Sequence, residues 1–399
     1  MTWQSIRIGD IGRVVTGDTP PKSRAEFYGS AFPFIKPTDM KVGQRYTSSW
    51  EENYSEEAYE KYKQKLIPEG STAVVTIGSI GQKLTLTRTP CFVNQAVNAV
   101  IPDREKFDPM YVYYLLKHNL HLVKQADTGA SSGRENVSKS NFSSLEIYAT
   151  LDFAEQVRIA GVLDSLDSAI ENNQCRIALM EESARLLYRE WFVHFRFPGN
   201  DLEGVSYTDW TERPLSELIS INPKTQFETD RAYPFVPMQS LSETSMLISD
   251  VEERVIQGGA KFQNLDTLLA RITPCLENGK TGFVQFLTEE APVASGSTEF
   301  IVLRGQLVSP FWVYCLARED SFRSHVIGSM VGSDGRQRVN TKCFDSYLAR
   351  QPPPGLLEAF DAAVKPVFEE VEVLARVNRQ LRICRDELLP RLMSGTIEV

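Results

Sequence analysis

Residues 163–191 read LDSLDSAIENNQCRIALMEESARLLYREW. Within this stretch Leu163, Leu166, Ile170, Asn173, Ile177, Met180, Ala184, Leu187 and Trp191 recur at alternating steps of three and four. That is the a/d rhythm of a heptad seam, sustained for about four heptads. All but Asn173 are apolar, and a lone seam asparagine costs stability while fixing register and partner orientation. At 1.5 Å per residue such a helix spans roughly 40 Å, longer than a small domain's core requires. The pattern predicts a spacer helix.

A spacer of this kind needs a partner. Val364, Val367, Val371, Leu374, Asn378, Leu381, Arg385, Leu388 and Leu392 carry the same rhythm 201 positions later. Asn378 and Arg385 are the polar interruptions. Pro366 reads as a first-turn proline, and Pro390 limits how far the helix stays straight. The simplest arrangement is one intramolecular coiled coil of two long antiparallel helices.

The repeat extends outward from the helices. Ala31-Phe32-Pro33-Phe34-Ile35 matches Ala232-Tyr233-Pro234-Phe235-Val236, and Asp108–Tyr113 matches Ser309–Tyr314, both at the offset of 201. Gly133-Arg134 matches Gly335-Arg336, and Phe142 matches Phe344, one residue further out. Co-linear matches of this kind mark a duplicated unit of globular part plus helix. Short β-rich runs recur at Thr72–Ile77, Phe92–Ile101, Phe283–Phe286 and Phe300–Leu303. Helical stretches follow at Pro109–Lys124 and Pro310–His325, each opened by a proline suited to a first turn. Polar glycine-bearing loops, Thr128–Asn141 and Gly328–Lys342, then lead to the spacers. The expected fold class is α+β: two pseudo-twofold-related α+β domains with mostly antiparallel sheet, separated by the helical pair. The expected boundaries are 1–150 and 206–350 for the domains. Residues 151–205 form the central spacer with a linker at Phe197–Tyr207, and 351–399 form the C-terminal spacer.

Bulk properties bound the partners. The chain has 399 residues and a net charge of −9, unevenly spread: +2 over residues 1–150, −5 over 151–205, −4 over 206–350 and −2 over 351–399. Near-neutral globular parts leave nucleic-acid binding open and predict help from a more basic partner. The six cysteines are scattered with no C-x-x-C pair, which fits free thiols in a reducing cytoplasm. No run of about 18 apolar residues occurs, and the opening MTWQSIRIGD lacks a secretory apolar core.

Catalytic signatures fail one by one. Gly279-Lys280-Thr281 ends like a phosphate loop, but its required first glycine falls on Pro274. Asp18-Thr19-Pro20-Pro21 is followed by Lys22 where an amino-methyltransferase motif has an aromatic. His118 and His121 share a helix face without further ligands, and His194 and His325 stand alone. Neither a nucleophile triad nor a metal set assembles, so the expected protein is a binder without catalytic or metal residues.

Four segments carry a family resemblance. Ala184-Arg185-Leu186-Leu187-Tyr188-Arg189-Glu190-Trp191-Phe192-Val193-His194-Phe195 resembles the tail of the central conserved helix of type I restriction-modification specificity subunits. Leu388-Leu389-Pro390-Arg391-Leu392-Met393-Ser394-Gly395 resembles their C-terminal conserved helix. Phe92-Val93-Asn94-Gln95-Ala96-Val97 and the loop Gly129–Asn136 resemble features of their target recognition domains. The resemblance implies a non-catalytic, cytoplasmic reader of double-stranded DNA. Each recognition domain would read one half of a bipartite, asymmetric target. The helices would dock two modification (methyltransferase) subunits, with restriction subunits completing an endonuclease. No cofactor is then expected in this chain; S-adenosylmethionine, ATP and Mg belong to the partner subunits.

A spacer of roughly 40 Å is a little over one turn of B-DNA, which predicts halves of roughly 3–5 base pairs separated by roughly 5–8 unread ones. Base edges are read by Arg, Lys, Asn and Gln, and phosphates by Lys, Arg, Ser and backbone amides. Clusters of these beside glycine nominate Ser79, Gln82 and Lys83, then Arg134, Asn136, Ser138 and Lys139 in the first half. In the second half they nominate Asn278 and Lys280, then Arg336, Gln337, Arg338 and Lys342. Solvated loop tips are the competing reading of each, and Asn94 and Gln95 also read as strand-capping polar groups. A duplicated protein-binding scaffold on a coiled-coil rod, without DNA, accounts for the repeat equally well.

Overall fold

The computed structural model describes residues 3–127, 135–197, 210–228, 231–255, 258–333 and 336–399. It divides into two compact units, Met1–Glu171 with Arg379–Val399, and Asn172–Asn378. Each unit therefore owns one globular part and a portion of both long helices.

The first unit has strands β1 (Trp3–Arg7), β2 (Gly12–Thr16), β3 (Tyr28–Ile35), β4 (Glu52–Tyr54) and β5 (Thr72–Val75). They are followed by β6 (Leu84–Leu86), β7 (Phe92–Val93), β8 (Val97–Pro102) and β9 (Glu146–Thr150). The central sheet is antiparallel in the order β2-β8-β5-β6. A second sheet, β4-β3-β7, pairs β3 with β7 in parallel, and β1 pairs with β9. All four side chains of β5 are buried, so it shows a continuous apolar run in place of alternation. The run expected at 92–101 is cut in two. Asn94 Oδ1 accepts the Ala96 N–H at 3.1 Å, an Asx turn that ends one strand before the next begins. Gly17 lies so close to this turn that a Cβ would collide with the Val93 and Asn94 carbonyls.

The second unit repeats the plan. Its strands begin with β10 (Glu212–Pro214), β11 (Ile219–Ile221), β12 (Ala232–Val236), β13 (Glu252–Val255), β14 (Ala260–Gln263) and β15 (Thr267–Ala270). There follow β16 (Thr281–Phe283), β17 (Val293–Gly296), β18 (Phe300–Gly305), β19 (Met330–Val331), β20 (Arg338–Val339) and β21 (Leu348–Arg350). The sheet order β11-β18-β15-β16 reproduces β2-β8-β5-β6. The order β13-β12-β17 reproduces β4-β3-β7, including its parallel pair, and adds β14 at the edge. Each α+β part is thus built on two small sheets with a closing ribbon, β1-β9 in the first and β10-β21 in the second, which adds a further ribbon β19-β20, and not on a single twisted sheet. The matched segments 31–35 and 232–236 lie on β3 and β12, the equivalent strands. Asp108 and Ser309 cap the equivalent helices Pro109–His118 and Pro310–Arg318 by accepting from Tyr111 and Trp312 amides at 2.8 and 3.2 Å. Each expected long helix here is two short ones, with Leu120–Gln125 and Asp320–Gly328 following.

The long helices are Phe153–Tyr188, continued by a π-helical turn at Arg189–Val193, and Pro354–Met393. Both begin well before the heptad seam, because their first turns pack on the globular parts through Ile159 and Phe360. This corrects the reading of Pro366. The helix opens at Pro354, and Pro366 sits on its exposed surface in the interior. Losing one amide donor there is offset by the packed face of Phe360, Val364 and Phe368.

Every seam residue is buried or half-buried. Leu163, Ile170, Ile177, Val364, Val371, Leu374, Asn378 and Leu392 are buried; Leu166, Asn173, Met180, Leu187, Trp191, Val367, Leu381 and Leu388 are half-buried. In the first unit Leu163 shares a core with Leu389 and Leu392. In the second, Ile177 shares one with Val364, Val371 and Leu374. The helices are antiparallel in each unit: Asp167 meets Arg385, and Asn173 and Arg176 meet Asn378 and Glu370.

The two seam asparagines find each other. Asn173 Nδ2 donates to Asn378 Oδ1 at 3.0 Å. A paired polar seam position is a register device that an apolar pair would exceed in stability. The double variant Asn173→Leu, Asn378→Leu is expected to melt at a higher temperature than wild type in scanning calorimetry. A lower midpoint would mean the amide pair contributes net stability. No described helix is long and apolar enough to cross a membrane.

Candidate nucleic-acid interface

The two units build the same backbone frame at their polar loops. In the first, Thr76 donates its amide to Ala96 O at 2.8 Å, and Val137 donates to Thr76 O at 2.9 Å. An isolated bridge joins Ile77 to Asn136, and the Gly78 amide reaches Glu135 O at 3.1 Å. In the second, Arg271 donates to Glu299 O and Val339 to Arg271 O, both at 2.9 Å. Ile272 bridges Arg338, and the Thr273 amide reaches Gln337 O at 3.1 Å. One hydrogen-bond pattern therefore brings together two loops far apart in sequence, twice. What differs is the side chains: Thr76 stands where Arg271 does, Ala96 where Glu299 does, and Asn136 where Arg338 does.

The frame unites the nominated residues of each half. Ser79, Gln82 and Lys83 lie in the loop between β5 and β6, beside Asn136, Ser138 and Lys139. Gln82 and Lys139 are exposed, while Ser79, Lys83 and Asn136 are half-buried. Ser138 is exposed and caps the helix Lys139–Ser144, accepting the Asn141 amide at 3.2 Å. Lys83 Nζ donates to Pro37 O at 2.8 Å, and its counterpart Lys280 donates to Met238 O at 3.1 Å. These two lysines tie the β-loop to the segment after β3 or β12, which accounts for a cation at both positions. Asn278 donates to Glu243 Oε1 at 3.2 Å. Arg338 is clasped by Glu299, Nη2 to Oε1 at 2.7 Å, which holds the Glu299 carboxyl below its usual range. Arg336, exposed and without an ion pair among the described residues, is the freer cation of that run. Gln337 is half-buried and Lys342 exposed. Gln95 is exposed and engaged by the Thr19 hydroxyl. Arg134 lies outside the described residues, as does most of the loop Gly129–Asn136.

Behind this frame each domain is fastened to the long helices, and these fasteners escaped the sequence reading. In the first unit Arg45 is buried and grips Asp164, Ser168 and Glu171 of the central helix. Burial alone would weaken its proton affinity, but the Glu171 carboxylate more than reverses that. Nearby, Asp167 receives Tyr114 OH at 3.0 Å, Lys117 Nζ at 3.4 Å and Arg385 Nη1 at 2.6 Å. This explains the arginine that interrupts the heptad seam. In the second unit the residue at the offset of 201 from Asp167 is Phe368, ringed by Phe283, Phe311 and Tyr314 with centroids 4.9, 4.9 and 5.6 Å away. Arg318, the counterpart of Lys117, turns instead to the loops. It donates to Glu243 O at 2.9 Å, Gly279 O at 3.0 Å, Thr281 O at 2.7 Å and Ser245 O. Glu181 completes this fastening by accepting the Met246 amide at 3.0 Å and the Ser245 hydroxyl. Burial raises its carboxyl, and those two bonds only partly offset the rise. The available signal was Lys117 and Arg318 recurring at one offset on otherwise apolar helix faces. The remaining histidine of the second part is structural: His325 Nε2 lies 2.9 Å from Cys343 O.

Comparison with known proteins agrees with this architecture. Residues 1–181 match the family model described as type I restriction modification DNA specificity domain. The type I restriction enzyme MjaIX specificity subunit of Methanocaldococcus jannaschii is 24% identical over all of this chain and 94% of its own length. The HindI specificity subunit of Haemophilus influenzae is 31% identical over 43% of this chain and 38% of its own length. A crystal structure of a type I restriction-modification S subunit from M. genitalium superposes with a TM-score of 0.61 at 16% identity, covering 98% of this chain and 96% of that one. That superposition establishes a shared fold. Residues 1–181 thus match the type I specificity-domain model, and the chain as a whole is similar to type I restriction-modification specificity subunits in sequence and in fold.

Proposed function

We propose that this chain reads a bipartite, asymmetric target on double-stranded DNA, one half per α+β domain. The observation that carries the reading is the repeated loop frame with unlike side chains. At the matched frame positions Thr76, Ala96 and Asn136 stand where Arg271, Glu299 and Arg338 do, an uncharged set against a charged one. Identical frames with different donors and acceptors are suited to different base sequences. The expected gap between the two halves of the target is roughly 5–8 base pairs.

On this reading the chain is non-catalytic and works in the cytoplasm. It docks two modification subunits, which hold S-adenosylmethionine, and restriction subunits, which use ATP and Mg. The family of relatives named for restriction-enzyme specificity supports this division of labour. Methylome sequencing of cells carrying the chain with its modification partner is the test. The expected result is one new methylated motif made of two unlike halves around an unread gap. A continuous palindrome would discard the bipartite reading. No new motif, together with no duplex binding by the assembled complex, would favour a scaffold that binds protein alone.

A further inference from the structure

We propose that the second domain tracks the phosphate backbone of its DNA half-site in a cationic cleft formed by Lys224, Lys261 and Arg271, beside the Arg336–Arg338 loop. This deepens the DNA-reading function above and rests on it.

The cleft lies between the segment after β11, strand β14 and the β17–β18 turn, with a volume of about 630 Å³. A second cleft of about 570 Å³ adjoins it, sharing Gly259 and Thr298. Together they form an open track rather than an enclosed hole. Residues 206–350 carry a net charge of −4, yet among the described residues no acidic side chain lines either cleft. Excess carboxylates in the domain are therefore kept off this surface, which favours a polyanion there.

The cations are arranged for the task. Lys261 Nζ sits 4.2 Å from the centroid of the Phe227 ring, which holds the ammonium without cancelling its charge. Lys224 is exposed at the rim. Arg271 Nε is buried with no hydrogen-bond partner among the described residues, a donor left over by the fold. Glu299, whose carboxylate lies within electrostatic reach of Arg271, is occupied by Arg338. The floor is bare backbone: Gly259 has φ of +88°, and a Cβ there would run into the Gly296 carbonyl. The track also meets the nominated base-reading loop, since the Val339 amide bonds Arg271 O at 2.9 Å. At the equivalent frame position of the first domain the residue is Thr76, which supplies no cation there.

The test uses the full chain assembled with its modification partners and the duplex that methylome sequencing identifies. Affinity is measured by fluorescence anisotropy across a salt series for wild type, for Lys224→Gln with Lys261→Gln, and for Lys224→Arg with Lys261→Arg. Each lysine on a phosphate contributes about one unit to the slope of log affinity against log salt. The glutamine pair should lower that slope by about 2 without changing the methylated motif, and the arginine pair should keep it. An unchanged slope in the glutamine pair overturns the cleft, as does equal loss in both pairs. Wild-type complex that binds no duplex specifically would instead overturn the DNA reading itself, and the cleft with it.

Discussion

Replacing Asp167 with alanine is expected to destabilise the first unit by roughly 3–5 kcal/mol, measured as the loss in urea-unfolding free energy. The carboxylate is 4% exposed and receives Tyr114, Lys117 and Arg385 at once. Removing it leaves the half-buried Lys117 without its carboxylate and Arg385 with Asp386 alone, 2.8 Å away. Burial already pulls the Lys117 ammonium toward its neutral form, with Asp167 only partly countering. Replacing the group as a whole should be far milder. Asp167→Leu combined with Lys117→Met and Arg385→Leu is expected to recover most of the loss, because buried ion clusters exchanged for well-packed apolar groups cost little. A triple variant as unstable as the single one would refute the ionic account. The pH dependence has a definite sign. Burial pushes the Asp167 carboxyl up, but Lys117 and Arg385 outweigh it and hold the group below its usual range. A depressed carboxylate contributes stability that is complete above its unfolded value of about 3.9 and is lost as pH falls through the folded value. The gap between wild type and Asp167→Ala should therefore close on acidification.

Arg318→Met should be as damaging in the second unit, for another reason. The side chain is 6% exposed and satisfies four loop carbonyls along with Tyr314 OH. Methionine fills similar volume but donates nothing. Buried acceptors left unpaired cost about 1–3 kcal/mol each, so a loss of roughly 4 kcal/mol or more is expected in urea unfolding. Arg318→Lys should fall between, since an ammonium can serve only some of the carbonyls. The loops concerned carry Asn278 and Lys280, so DNA affinity should fall alongside stability. A loss near 1 kcal/mol would mean water replaces the guanidinium, and the loops need no such clamp.

These two residues show what a linear reading can and cannot reach. The three-four rhythm between Leu163 and Trp191 was legible because a helix seam repeats locally, and the offset of 201 carried that reading to its partner. Most β-runs were legible too, but the run expected at Phe283–Phe286 is strand only at Phe283, and the break at Asn94 depended on a side-chain-to-backbone bond that hydrophobicity does not encode. Pro366 misled because tertiary packing by Phe360 and Phe368 overrode a local rule. Most of the nominated residues that the structure describes lie in turns and loops, since glycine and polar clusters mark where the chain turns. Lys224, Lys261 and Arg271 were invisible for the opposite reason: each stands in unremarkable sequence, and only the fold of the second domain sets them around one cleft. Likewise Arg45 reads as a surface cation until the central helix is seen to supply Asp164 and Glu171.

The division into units also bears on biosynthesis. Leu389, Leu392 and Met393 belong to the core of the first unit, and Arg385 neutralises its Asp167. Those residues follow the whole second unit in translation order. The earlier-made domain thus waits for later-made sequence, lacking the Leu389, Leu392 and Met393 side of its core while the second unit emerges. Completion of the protein begun first comes last, and a nascent chain halted midway carries a sticky, half-closed helix that chaperones would have to shield.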